Sequence, residues 1–169
     1  FSSFQSQHLL INLLKQFSNE YKIIIVENSL DISVKRLLEQ KFNNVSVVIP
    51  KQNLGLAKSY NLGIKKAKSR FVFLNNPDII ISNQSVKKLL NCAKKIKNFG
   101  AISPAFKEEK IYKNYEIFNK KKIHKTKFFK DYKIYEVDLL DNNFLIDKHQ
   151  IRSSLYDESY FLYFETLDF

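Results

Sequence analysis

Short apolar, β-branched runs alternate along this chain with amphipathic helical stretches, and that alternation leaves few folds open. Ile23 to Val26 reads IIIV and Val45 to Ile49 reads VSVVI, the second ended by Pro50. Continuous β-branched runs of this kind mark strands buried on both faces. Phe71 to Leu74 and Ala101 to Ser103 add two more, the latter closed by Pro104. Between them, His8 to Phe17, Ser33 to Phe42, Ala57 to Lys68 and Ser85 to Lys97 place apolar residues at helical spacing. Asp31 or Ser33 is placed to cap the second of these helices. Helix then strand, repeated four times, implies right-handed crossovers and a parallel sheet with helices on both faces. From Phe106 to Tyr135 the alternation gives way to a lysine- and aromatic-rich connection. Strands are expected again at Tyr135 to Leu140 and Phe144 to Ile146, then a helical turn near Lys148 to Arg152.

The length of 169 residues suits one domain with a real core, and 44% hydrophobic content excludes a disordered chain. A single cysteine, Cys92, excludes an intrachain disulfide and fits a reducing compartment. Lying in a helical stretch, it reads as a small apolar core residue. No apolar run reaches the roughly 18 residues of a membrane span, and no signal peptide is visible. The three histidines share no metal-ligand spacing with Cys92. No nucleophile elbow, P-loop or GxGxxG occurs, so serine, cysteine, ATPase and dehydrogenase chemistries find no support. The net charge of +11 is concentrated: residues 107 to 135 hold ten lysines and four acids. Such a patch attracts anionic lipid, nucleic acid or phosphorylated substrates, or is simply a solvated loop. No nucleic-acid-binding motif accompanies it, and no nucleic acid partner is expected. A composition rich in lysine, asparagine, isoleucine and phenylalanine hints at an AT-rich bacterial genome.

Polar groups gather where strands end. Val26-Glu27-Asn28-Ser29-Leu30-Asp31 sets two acids and two hydrogen-bonding residues at a strand-to-helix turn. It can grip ribose hydroxyls or a base edge, or serve as an ordinary helix cap. Asn75-Asn76-Pro77-Asp78 follows the third strand, and ligands of open α/β sheets sit beyond the carboxyl ends of strands. Asp78 there suits a hard divalent ion completed by diphosphate and water. The closing stretch DESYFLYFETLDF is acidic and aromatic; Glu165 and Asp168, three apart, share one face of a helical turn. A carboxylate in an aromatic setting can act as a base toward a hydroxyl.

Four of these segments, in order, resemble the family 2 glycosyltransferases of the GT-A fold, above all a bacterial rhamnosyltransferase-like branch. VENSLD resembles the family's nucleotide-binding turn V-D-N-x-S-x-D. NLGLAKSYNLGIKKA is similar to its N-x-G-x-A-x-x-x-N-x-G-I helix, and FVFLNNPDI to its strand leading into L-N-P-D. DESYFLYFETLDF resembles a D-E-x-F-F-x-Y-x-E-D-x-D-L segment.

The resemblance implies a Rossmann-like, mostly parallel sheet with a small C-terminal β and acidic segment. It implies one core over residues 1–169, with 1–105 binding the nucleotide sugar and 106–169 the acceptor. It places the family's first strand just before Phe1 and further helices after Phe169. Glu27, Asn28 and Asp31 would line the nucleotide site, Asn53, Ala57 and Asn61 would flank the donor, and Asn76 and Asp78 would fill the D-x-D positions. Asp78 would contact magnesium or manganese, and Glu165 or Asp168 would supply the base, Glu165 being favoured. The implied reaction is inverting transfer from a nucleotide-diphosphate sugar to a saccharide or lipid-linked hydroxyl in surface polysaccharide synthesis. It would run in the cytoplasm, with peripheral contact to the inner membrane face through the lysines of 107 to 135. This sequence departs from the family pattern at Glu27, where Asp is usual, at Asn76, and at Thr166, where an acid is usual. The last leaves open an alternative, a nucleotide-sugar binder or assembly protein without catalysis.

Overall fold

The structure, a computed structural model, describes residues 1–17, 19–97, 99–107, 111–112, 115–116, 126–129, 132–140, 143–151 and 155–161. In chain order it runs β1 (Ser2–Ser3), α1 (Gln7–Leu14), β2 (Ile23–Glu27), α2 (Ile32–Lys41), β3 (Val45–Val48), α3 (Gly55–Lys66), β4 (Phe71–Phe73), α4 (Asn83–Lys95) and β5 (Ala101–Ile102). Short strands follow: β6 (Phe106–Lys107), β7 (Ile111–Tyr112), β8 (Tyr115–Glu116), β9 (Thr126–Phe129), β10 (Tyr132–Tyr135), β11 (Leu139–Leu140) and β12 (Leu145–Asp147). A 3-10 turn over Lys148–Gln150 ends the regular part.

β1, β2 and β3 form a parallel sheet in that order, with Ser2 opposite Val26 and Ile23 opposite Val45. Ser2–Ser3 lie beside the carboxyl end of β2. Two polar residues carry no periodicity of their own; they are a strand because β2 offers them a ladder. The edge strand β3 has both backbone groups of Val47 covered from α2. Lys35 Nζ donates to its carbonyl at 2.7 Å, and its N–H donates to Glu39 Oε1 at 2.8 Å. A covered edge is closed to pairing with another chain.

β4 and β5 do not continue that parallel sheet. β12 lies between them and pairs antiparallel with both, Leu145 facing Phe73 and Ile102. β4 and β5, each antiparallel to β12, run in the same direction as each other, so the expected mostly parallel α/β arrangement holds, with β12 as an antiparallel member. Hydrophobic runs report that a strand is buried and not which way its neighbour points. The stretch expected as a connection also contains antiparallel pairs, β6 with β7, β8 with β11 and β9 with β10.

Helices cover both faces. Leu10 and Leu14 of α1 and Val34 and Leu38 of α2 pack on Ile23, Ile25, Val45 and Val47. On the other face Val26 meets α3, close enough that a methyl at Gly63 would sit 3.9 Å from its side chain. Along β12 the alternation sorts the two sides. Ile146 packs with Ala57, Tyr60 and Ile64 of α3, and Leu145 with Val86, Leu89 and Ala93 of α4. Cys92 is buried on α4, as a core residue. Full burial of a leucine or isoleucine contributes about 1.5–3 kcal/mol, so Leu10 and Leu38, at 0% exposure, anchor the cluster under α1 and α2, and Ile146, also at 0%, the one under α3. Among the described residues no helix is long and apolar enough to cross a membrane.

Candidate active site

The end of β2 is built around a carboxylate shut away from water. Glu27 is 1% exposed, between the ends of two turns. Ser3 donates its hydroxyl to Oε2 at 2.6 Å, the Ser29 N–H donates to Oε1 at 2.9 Å, and the Ser29 hydroxyl closes a short bond to the same oxygen. Three donors satisfy a group that burial would otherwise penalise. Gln5 and Leu30, at the turns after β1 and β2, both take left-handed backbone angles, φ 53° and 64°. Side chains there cost about 1–2 kcal/mol each, strain that collects at functional sites. A pocket of about 270 Å³ opens at this point, lined by Gln5, Ser6, Gln7, Glu27, Ser29, Asp31 and Val34. Asp31 is exposed and accepts from the Ser33 N–H at 2.7 Å, capping α2 as expected. Bonds from Ser33, side chain then backbone, hold its carboxyl below the usual aspartate value, so it is ionised at neutral pH.

Asn28, expected at the nucleotide, is bonded to the protein's own groups. It is 3% exposed, and its amide nitrogen donates to Ser59 Oγ at 2.8 Å and Ser2 Oγ at 3.2 Å. Its oxygen accepts from the Leu54 N–H at 3.0 Å. The residue staples β1, β2 and α3 together. Ala57, expected to flank the donor, is fully buried at 0% exposure. Asn53 is exposed and accepts from the Gly55 N–H at 2.9 Å, fixing the turn into α3.

At the end of β4, Asn76 and Asp78 reach a second cluster. Asn76 Oδ1 accepts a short bond from the Tyr60 hydroxyl, and its backbone N–H donates to Asn143 Oδ1 at 2.8 Å. Asn75 is buried and donates to the carbonyls of Asn76 and Ile79, each at 3.0 Å, shaping the turn that presents Asp78 to solvent. Among the described residues there is no group of three histidine, cysteine or acidic side chains able to hold a metal alone. The oxygens present, the Asp78 carboxylate and the Asn76 amide, nonetheless fit magnesium or manganese. Magnesium takes only one or two protein carboxylates where substrate phosphates and water complete its shell.

Asn61 is tied to the C-terminal segment. Its amide bonds to the backbone of Leu155 and Tyr156 and to Glu158, with Nδ2 2.8 Å from the Tyr156 carbonyl. Tyr60 stacks on Tyr156 with ring centres 5.7 Å apart. Glu165, Asp168 and Thr166 lie outside the described residues. Asp157 is exposed, and bonds from the Ser159 backbone and side chain hold its carboxyl below the usual value.

The sequence reading missed several of these participants. Ser3 and Ser59 carry no motif signal of their own. Asn143 has one: asparagine tolerates left-handed backbone, and it adopts φ 69° in an Asn-Asn pair before a strand. A larger cavity, about 590 Å³, lies between the two three-stranded sheets, walled mainly by apolar groups such as Ile24, Ile64, Phe71 and Leu90. It takes in none of Glu27, Asp31 or Asp78.

These polar groups gather at the strand ends of an α/β domain, and comparison with known families identifies the domain. A family described as Glycosyl transferase family 2 matches residues 7–148. The chain belongs to that family, and its mixed sheet with helices on both faces is consistent with the GT-A fold. Among solved structures, "Crystal structure of S. aureus TarS 1-349" is similar over 56% of this chain at 23% identity, with a TM-score of 0.47. The match spans 31% of that chain, under a third of its length. No curated protein matches.

Proposed function

We propose that the protein transfers a sugar from a nucleotide-diphosphate donor to an acceptor hydroxyl, with inversion at the anomeric carbon. The observation that carries this reading is the meeting of two strand ends on one helix. Asn28 after β2 and Asn76 after β4 bond to consecutive α3 residues, Ser59 and Tyr60. Glu27 and Asp78 are thereby carried on one framework, as a nucleotide and its diphosphate require.

In this reading the nucleoside enters the pocket beside Glu27, with Gln5, Gln7 and Asp31 offering amide and carboxylate groups to base and ribose. Asp78, with Asn76, would hold a divalent cation, which supplies charge neutralisation for the departing diphosphate. Asp78 itself orients the diphosphate end and keeps it aligned with α3 through Asn76 and Tyr60. A carboxylate of the acidic segment, Glu165 or Asp168, removes the acceptor proton as the hydroxyl attacks from the face opposite the leaving group. Residues 1–105 serve the donor and 106–169 the acceptor. The acceptor is a saccharide or lipid-linked glycan of a bacterial surface polysaccharide. The lysines of 107 to 135 support peripheral contact with the cytoplasmic face of the membrane.

A thermal-shift screen of nucleotide sugars with and without manganese tests the reading. Selective binding to the folded state at a hundredfold excess over Kd adds about 2.7 kcal/mol. Stabilisation by one donor with release of its nucleotide supports transfer. Stabilisation without release favours the non-catalytic binder that Thr166 leaves open. No stabilisation by any nucleotide sugar removes both.

A further inference from the structure

Asn61 spends its whole hydrogen-bonding capacity on one remote segment. Its Oδ1 accepts from the N–H groups of Leu155 at 3.2 Å and Tyr156 at 3.1 Å. Its Nδ2 donates to the Tyr156 carbonyl at 2.8 Å and to Glu158 Oε1 at 3.1 Å. A carboxamide has two donors and two acceptor lone pairs, so nothing remains for a ligand. The same segment is pinned again at the start of α3. The Phe161 carbonyl accepts from the Leu56 N–H at 2.8 Å. Gly55 makes that approach possible, since a Cβ there would lie 2.2 Å from the Phe161 oxygen. Between the two pins, Asp157, Glu158, Ser159 and Tyr160 are exposed.

Residues 155–161 therefore form a strap laid along α3, the helix that also receives the ends of β2 and β4. Its exposed carboxylates are carried next to the donor framework without belonging to it. A free segment of this length would sample many conformations. A displacement of about 1 Å near reacting atoms is worth about a hundredfold in rate.

We propose that Asn61 is a positioning residue: it does not touch the sugar donor, and it fixes the acidic strap, through Tyr156 and Glu158, where an acceptor hydroxyl meets the donor. The inference rests on the transferase reading above. It assigns the paired glycine and asparagine of α3 to the strap rather than to the nucleotide. The bond to Glu158 gives it a signature that general packing lacks. Asp at position 61 would turn an oxygen toward both the Tyr156 carbonyl and the Glu158 carboxylate, and Gln at position 158 would restore a donor to one of them.

The experiment compares wild type, Asn61→Asp, and Asn61→Asp combined with Glu158→Gln, in the full-length protein. Amide hydrogen exchange at Leu155 and Tyr156 is read beside donor KM and kcat. The expected result is faster exchange at both amides and a kcat lowered about tenfold or more, with donor KM unchanged within about twofold. The double variant should recover part of both. Unchanged exchange, or a raised donor KM with kcat intact, overturns the proposal, as does a double variant no better than the single. If the wild type transfers no sugar, the transferase reading fails, while the exchange comparison still decides whether Asn61 holds the strap. If Asn61→Asp does not fold, Asn61→Ser supplies the same comparison with a shorter side chain.

Discussion

The hydroxyl of Ser59 lies 2.8 Å from the side-chain nitrogen of Asn28, which ties the end of β2 to the middle of α3. The next helical residue, Tyr60, is bonded to Asn76 at the end of β4. One turn of helix thus gathers two strand ends, and the acids beside them, Glu27 and Asp78, inherit that alignment. The site is organised by neutral amides and hydroxyls, and the charged groups ride on them.

Asn28→Ala should therefore cost stability before it costs chemistry. It leaves the Leu54 N–H and the Ser2 and Ser59 hydroxyls without this partner in a buried place. Unsatisfied buried groups cost about 1–3 kcal/mol. Urea unfolding should show a lower midpoint with an unchanged slope. A midpoint equal to wild type would mean the staple is energetically idle.

Gly55→Ala attacks the strap from the other end. At φ 70° a side chain costs about 1–2 kcal/mol through the backbone alone. Its methyl must also displace the Phe161 carbonyl from the Leu56 N–H. Limited proteolysis should cut near residues 155–161 sooner than in wild type, with transfer reduced. Equal cleavage rates in the two proteins would count against the contact.

Much of this was legible in the chain and some was not, for definite reasons. The runs at Ile23 and Val45 gave buried strands because β-branched continuity has few other uses, and the helices began one or two residues earlier than periodicity placed them. Caps explain part of that shift: Ser82 accepts from the Ser85 N–H at 3.1 Å, ahead of the first apolar residue. The antiparallel entry of β12 between β4 and β5, from the far end of the sequence, was not legible. Spacing placed Asn28, Ala57 and Asn61 near a site. Only coordinates show that Ala57 faces inward and that both asparagines are consumed by the protein itself.

Acid stability should depend on Arg70 and Asp147. The guanidinium donates to the buried carboxylate at 2.7 and 3.0 Å, and chiefly this pairing holds the Asp147 carboxyl below its usual value. A depressed folded-state value stabilises the fold above the unfolded value, about 3.9 for aspartate, and that stability is lost as pH falls further. Arg70→Gln should lower stability at neutral pH by about 1–3 kcal/mol, because Asp147 keeps little access to water. It should also weaken the loss of stability below pH ~4, seen by urea unfolding across pH. Parallel pH profiles for variant and wild type would show that the pair does not set the acid limb.

Substitution at Asp78 should separate donor binding from donor activation. The residue is exposed at the end of β4, and its neighbour Asn76 is fastened to Tyr60 and Asn143. Removing the carboxylate should therefore leave the fold intact. Asp78→Ala should unfold within about 0.5 kcal/mol of wild type, as surface changes do. With one charged oxygen gone, manganese should no longer enhance stabilisation by a nucleotide-diphosphate sugar, and transfer should fall about a hundredfold or more if the cation neutralises the leaving diphosphate. Asp78→Asn keeps one neutral oxygen and should lie between the two. Stabilisation by a nucleoside alone, which has no diphosphate to bridge, should be the same in all three proteins. A manganese effect that survives in Asp78→Ala would move the cation to other ligands, and an equal loss of nucleoside binding would place Asp78 at the nucleoside instead.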